Sequence, residues 1–287
     1  MNAEIRTDGG AARQVPIMGA GSPLTSDAVR RRVADFLYVA MPVVVCAILW
    51  EATARWSGLP KVLFPPLEDI FRALWKMIVE GTLARDLQAT FTRLIVSVLL
   101  GAAVGTLLGA LMGSVRAWER AFVGPINFLL AVPGTALFPL AMMWFGLSQA
   151  AILSILIYEV ALTVTANTWT GVKSIDLSLI RAGRAFGASG PSMFWRVLLP
   201  AALPSIITGY RLAFSRAWRI LIVAEMLVSA AAGLGYRLYW ARELFQTDVV
   251  YAGLLVVGTA GLLLERVVLR TLEKYTIERW GTVRALD

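Results

Sequence analysis

The sequence predicts an all-α membrane protein with six transmembrane helices. Three observations carry that prediction. Of 287 residues, 58% are hydrophobic and only 16% are charged, against about 25% charged in soluble domains. The mean hydropathy is +0.69. Two runs without a charge, residues 94–113 and 121–158, are 20 and 38 residues long, enough for one crossing and for two.

Residues 1–33 are rich in Gly, Ala, Ser, Pro and charge, and carry no apolar core of the signal-peptide kind. A disordered cytoplasmic tail is expected there. Arg30, Arg31 and Arg32 then hold the cytoplasmic side while a first span, about 36–56, inserts. Residues 59–66 (LPKVLFPP) break the chain. The stretch 67–80 spaces Ile70, Phe71, Leu74 and Ile78 as an amphipathic helix at the outer interface. The second span is 94–114. The third, 122–145, contains Pro125, Pro133 and Pro139, each of which removes a backbone donor and favours an irregular helix. Gly146-Leu147-Ser148-Gln149 supplies a tight outer turn before the fourth span, 149–171. The fifth and sixth spans are about 201–224 and 249–270, and 273–287 forms a cytoplasmic tail. Lys173, Arg181, Arg184 and Arg196 against Asp176 mark the segment between spans four and five as cytoplasmic. The segment 225–248 is balanced by Glu225, Glu243 and Asp248.

Composition also excludes chemistry. Histidine is absent, which removes Ser-His, Cys-His and HExxH sites. Cys46, in an apolar run, is the single cysteine, so one chain holds no disulfide or cysteine metal cluster; a small buried hydrophobe is the expected role. The net charge of +8 sits beside apolar runs rather than on a basic face, which fits membrane topology and anionic lipid and not nucleic acid. No GxxxxGK[ST] occurs, so ATP binding is not expected of this chain.

Gly101, Gly105, Gly109 and Gly113 recur every fourth residue, a small-residue face suited to close helix packing in the bundle or between copies. In 174–204, Ser174 or Asp176 caps a short helix to about Phe186, and Gly187 suits the left-handed position that ends it. Ser189 or Gly190 then caps a second helix with Pro191 in its first turn. A polar helical hairpin therefore precedes the fifth span.

This hairpin resembles the EAA loop of binding-protein-dependent ABC importer permeases, whose pattern is EAA, three residues, Gly, nine residues, then Ile-x-Leu-Pro. Here Arg181-Ala182-Gly183 precedes Gly187, and Val197-Leu198-Leu199-Pro200 follows at that spacing. Arg181 and Gly183 depart from the usual Glu and Ala. Segments from about Leu63 to Leu272, among them Leu63-Phe64-Pro65-Pro66, Val132-Pro133-Gly134 and Ala224-Glu225-Met226-Leu227, resemble the nitrate, sulfonate and taurine branch. The resemblance implies a type I (MetI-like) permease subunit of the bacterial inner membrane, working by alternating access on a small solute such as a sulfonate, taurine, nitrate or an aromatic acid. It further implies two partner ATPase subunits that bind ATP and Mg, a second permease copy, and a periplasmic or lipid-anchored binding protein. The permease itself then needs no cofactor. By the same resemblance Arg181, Ala182, Gly183, Arg184, Gly187, Val197, Leu199 and Pro200 belong to the ATPase-coupling loop.

Glu159 falls mid-way along the fourth span, followed by Thr163, Thr165 and Asn167. A carboxylate at that depth costs about 2.5–3.5 kcal/mol to insert, so Glu159, Asn167 and Arg211 are candidates for the translocation path. Arg211, Arg216 and Arg219 can pair with Glu159 or Glu225, or set a positive potential for an anionic solute. Two other function classes remain open on these residues. One is a proton-coupled secondary carrier using Glu159, and the other is an intramembrane enzyme.

Overall fold

The computed structural model describes residues 26–228 and 231–266, and among them there are helices and turns but no strand. The expected tail 273–287 and residues 1–25 lie outside the described residues. The chain divides into two compact units at Ser57 and Gly58.

The first unit contributes α1 (Ser26–Trp56), with Pro42 inside it. Residues 26–33 were expected in the tail but are helical. Arginine and alanine propagate a helix well, and no Gly or Pro interrupts 26–41. Cys46 lies on the exposed surface of α1 rather than in a core.

In the second unit α2 (Leu67–Val79) buries Ile70, Ala73 and Met77, whereas Phe71, Trp75 and Ile78 are exposed. The face turned to the protein is thus offset from the one the apolar spacing suggested. Small Ala73 lets α2 approach its neighbours while the aromatic residues face away. Next, α3 (Thr82–Ser114) starts a full three turns before residue 94, because Asp86, Thr90 and Arg93 find partners inside the fold.

The expected third span, 122–145, is not one helix. It is α4 (Arg116–Ala131), a 3₁₀ turn (Gly134–Leu137) and α5 (Phe138–Phe145), bent by 87°. Pro133 lacks an N–H, and it forces Val132 to extended backbone (φ −88°, ψ 115°), so the helix cannot continue. Pro139 falls in the first turn of α5, where a missing donor costs nothing. The Ser148 N–H then donates to the Gly146 carbonyl (2.9 Å) and launches α6 (Gln149–Lys173).

α6 is the central helix, with Ile152, Leu156, Val160 and Val164 fully buried. Gly101 faces Val160, Gly105 faces Val164 and Ala161, Gly109 faces Thr165 and Thr168, and Gly113 faces Val172. The numbers rise together on both helices, so α3 and α6 run parallel. The bent pair is therefore the chain's return path between them. A Cβ at Gly105 would stand 2.5 Å from the Ala161 carbonyl oxygen, so this seam is closed to any larger residue.

Following α6 come α7 (Leu177–Ala185), α8 (Gly190–Met193), a π turn (Phe194–Leu198) and α9 (Leu199–Val228). From Gly190 to Val228 the helix is continuous for 39 residues. α9 packs antiparallel to α6, with Gly171 facing Ser205 and Gly209 facing Asn167. The short α10 (Leu234–Glu243) and the apolar α11 (Thr247–Leu264) complete the described fold. Among the described residues four helices are long and apolar enough to cross a membrane, or five with the bent pair taken as one span.

Candidate functional site

The hairpin α7–α8 is built by local chemistry. The Asp176 carboxylate accepts the Ser178 N–H at 2.8 Å, satisfying one of the donors that a helix start leaves open. That hydrogen bond holds the Asp176 carboxyl below its usual range. At the other end Gly187 takes φ 81°, its N–H donates to the Arg184 carbonyl, and the Ala188 N–H donates to the Gly183 carbonyl, both at 2.9 Å. This is the pattern of a left-handed helix stop.

The hairpin faces outward. Arg181, Ala182, Arg184 and Gly187 are exposed, while Val197, Leu199 and Pro200 are half-buried. Phe186 is 91% exposed at the tip. Gly183 is turned inward instead, where a Cβ would lie 3.0 Å from Val197 and 3.3 Å from Met193. Its small size serves the closeness of the two hairpin arms. Between the arms runs an apolar groove of about 600 Å³, lined by Leu179, Gly183, Phe186, Val197, Pro200 and Ile207 among others. An exposed phenylalanine beside an apolar groove makes a contiguous apolar surface of the kind that interaction sites carry.

The intramembrane charges are arranged differently from the pairings open in the sequence. Glu225 pairs with none of Arg211, Arg216 and Arg219. Its partner is Arg93 of α3, with Nη1 2.5 Å from the carboxylate, and both side chains are almost wholly buried. Arg216 instead donates to the Thr163 hydroxyl at 3.5 Å, and Arg219 to the Ser215 carbonyl. Glu159 is half-buried against the 3₁₀ turn, where a Cβ on Gly134 would stand 2.7 Å from Oε2. The half-buried Asn167 donates to the Thr163 carbonyl. Arg211 lies on the exposed side of α9.

A buried clamp was not foreseen. Glu225 also accepts from the Thr90 hydroxyl (2.9 Å) and the Gly235 N–H (3.0 Å). Asp86 accepts the Gly233 N–H (3.1 Å) and pairs with Arg237, and Thr90 accepts the Leu234 N–H. Arg93 donates in addition to the Ala232 carbonyl. The first backbone donors of α10 are thus held by side chains of α3 and α9. Gly233 sits at φ 142°, and a Cβ there would collide with the Glu225 carboxylate. The visible signal was the spacing of Asp86, Thr90 and Arg93, which places three polar groups on one face of a helix.

The chain also resembles known proteins. Residues 101–274 match the model of the family described as binding-protein-dependent transport system inner membrane component. The chain belongs to that family. This permease is 37% identical over 223 residues to the putative aliphatic sulfonates transport permease protein SsuC of Escherichia coli K12, covering 78% of this chain and 84% of that protein. It is 31% identical over 227 residues to the taurine transport system permease protein TauC of the same organism, covering 77% and 82%. In fold, the permease resembles a chain of the MetNI methionine ABC transporter in an inward-facing conformation, with a TM-score of 0.55 at 20% identity. That match covers 67% of this chain and 96% of that one. The permease is accordingly an all-α, MetI-like, multi-pass membrane protein and a transport subunit, not an enzyme.

Proposed function

We propose that this permease forms half of the translocation path of an importer for a small sulfonate-like anion in the inner membrane. In this reading two copies stand side by side, with their termini in the cytoplasm. Two separate ATPase subunits, which bind ATP and Mg, grip the α7–α8 hairpins and drive alternating access. A periplasmic or lipid-anchored binding protein delivers the solute. The six crossings are α1, α3, the bent α4–α5 pair, α6, α9 and α11, and Glu159, Asn167 and Arg211 border the path.

The observation that carries the reading is the hairpin itself, a capped structure whose tip phenylalanine and apolar groove no described residue covers. The continuous helix from Gly190 to Val228 joins it to the bundle without a flexible break, so force applied at the hairpin reaches the membrane span. The sulfonate preference rests on the names of the relatives SsuC and TauC.

The test is Phe186→Ala. The variant is expected to insert normally and to lose at least tenfold of the ATPase subunit that co-purifies with it, the loss of a buried aromatic anchor. Full retention of the ATPase subunit sinks the docking assignment. Uptake that survives ATP depletion and collapses with the proton gradient sinks the importer reading in favour of a carrier.

A further inference from the structure

The exposed face of α7 carries charge of one sign. Gly183 is turned toward the second arm of the hairpin, with Val197 and Met193 against it. At about 100° per residue, Arg181 stands about 200° around the helix from Gly183, and Arg184 about 100°. Leu177, one turn before Arg181, shares that outward side, and all three are exposed. α7 therefore turns one face inward to the groove and shows a basic face, with a leucine beside the arginines, to its surroundings.

Nothing among the described residues answers that charge. The segment 174–200 holds Arg181, Arg184 and Arg196 against Asp176 alone, and the Asp176 carboxylate is engaged in accepting the Ser178 N–H. None of the three arginines enters an ion pair or a side-chain hydrogen bond within the described fold. Arg184 stands in the last turn of α7, where a helix favours a cation. Arg181 is mid-helix and has no such reason to be basic. The pattern that this hairpin resembles has glutamate at that place, so the sign of the charge departs from it. Lipid head groups are the other anions near such a hairpin, and its mounting keeps them away. The helix that carries it runs 39 residues, about 58 Å against about 30 Å of hydrocarbon. That excess sets the hairpin well beyond the roughly 8 Å over which physiological salt lets an exposed charge act.

We propose that this hairpin fits an ATPase subunit whose docking groove is edged with carboxylates, and that Arg181 and Arg184 pair with them while Phe186 supplies the apolar anchor. This rests on the docking reading above and names the chemistry of the partner's side. Opposite charges steer the two proteins together and make their association sensitive to salt. Like charges repel, so an ATPase subunit with a basic groove edge is refused even where its shape fits. The permease thus selects its own ATPase subunit from others in the same cell by the sign of an exposed row of side chains.

The experiment places the full-length permease in phosphatidylcholine nanodiscs and measures its affinity for its own ATPase subunit. Arg181→Glu, which turns attraction into repulsion, is expected to weaken binding about tenfold. Arg181→Gln, which only removes a surface pair, is expected to weaken it about threefold, and Arg181→Lys to keep most of it. Raising salt from about 0.1 M to about 0.5 M is expected to weaken the wild type more than Arg181→Gln, because one screened pair is already gone. That salt series decides the matter if Arg181→Glu does not accumulate in the membrane, and equal salt dependence of the two proteins overturns the proposal. An Arg181→Glu effect that is absent in phosphatidylcholine and appears only when phosphatidylglycerol is added gives the arginines to lipid and also overturns it. Unchanged binding in Arg181→Glu alongside weakened binding in Phe186→Ala removes this inference alone. Unchanged binding in both removes the docking reading and the inference with it.

Discussion

The two ends of the helix running from Gly190 to Val228 are built on opposite plans. At the C-terminal end, Glu225 is enclosed by Arg93, Thr90 and the Gly235 N–H, and every partner comes from the same chain. At the N-terminal end, the hairpin satisfies its backbone through Asp176 and Gly187 but leaves Phe186 and Trp195 in the open. One end is closed on itself and the other is unfinished. The difference teaches where to look for partners: a polar cluster that completes its own hydrogen bonds anchors the fold, and a structured element with bare apolar groups waits for another protein.

The contrast is broken most forcefully at the closed end. Glu225→Ala leaves the Arg93 guanidinium buried without its counter-ion, and losing one member of such a pair costs about 3–5 kcal/mol. The expected result is a large fall in the unfolding temperature of the detergent-solubilised permease, and a shift too small to resolve would mean the clamp is not structural. A middle-sized effect separates two glycines that look alike in sequence. Gly105→Ala presses a methyl group on the immovable Ala161 carbonyl and is expected to destabilise by about 1–3 kcal/mol. In Gly183→Ala the neighbours are the flexible Met193 tip and Val197, so the gain in helix propensity, about 0.8–1 kcal/mol at most, is expected to win. Opposite signs in thermal unfolding and in amide protection of α7 check both.

The smallest effect is the pH response of the hairpin. The Asp176 carboxyl is held below its usual range by the Ser178 N–H, so its capping contribution is present above the ordinary aspartate pKa. It is lost as pH falls through the depressed folded value. The amide protection factors of residues 177–181, taken relative to the intrinsic exchange rate at each pH, are expected to fall on acidification in the wild type and to lose that dependence in Asp176→Asn.

How much of this was legible in the sequence depended on the range of the interaction. The hairpin could be read from Asp176, Gly187 and the spacing to Pro200, because caps and stops act over a few residues. The glycine face was visible as a repeat, although only the fold shows that α6 is what it meets. Glu225 was visible as a charge without its partner, since Arg93 lies 132 positions away and sequence alone leaves that pairing open. Apolar length located residues 122–145 in the membrane but said nothing of direction, so the 87° bend at Pro133 was missed. Gly183 shows the limit of motif matching: its position in the pattern pointed toward the ATPase, and its missing side chain faces home.

The π turn at Phe194–Leu198 has a further consequence for this machine. Such a turn spends one residue more than an α turn on the same full rotation, so it takes up one residue of chain without turning the hairpin relative to the membrane shaft. Removing a single residue from the regular winding of α9 below that turn, where no slack exists, would instead swing the tip around the axis by about 100°. The chain would keep each exposed group of the hairpin and point them all the wrong way, like a key cut correctly on a blade that has been rotated in its bow.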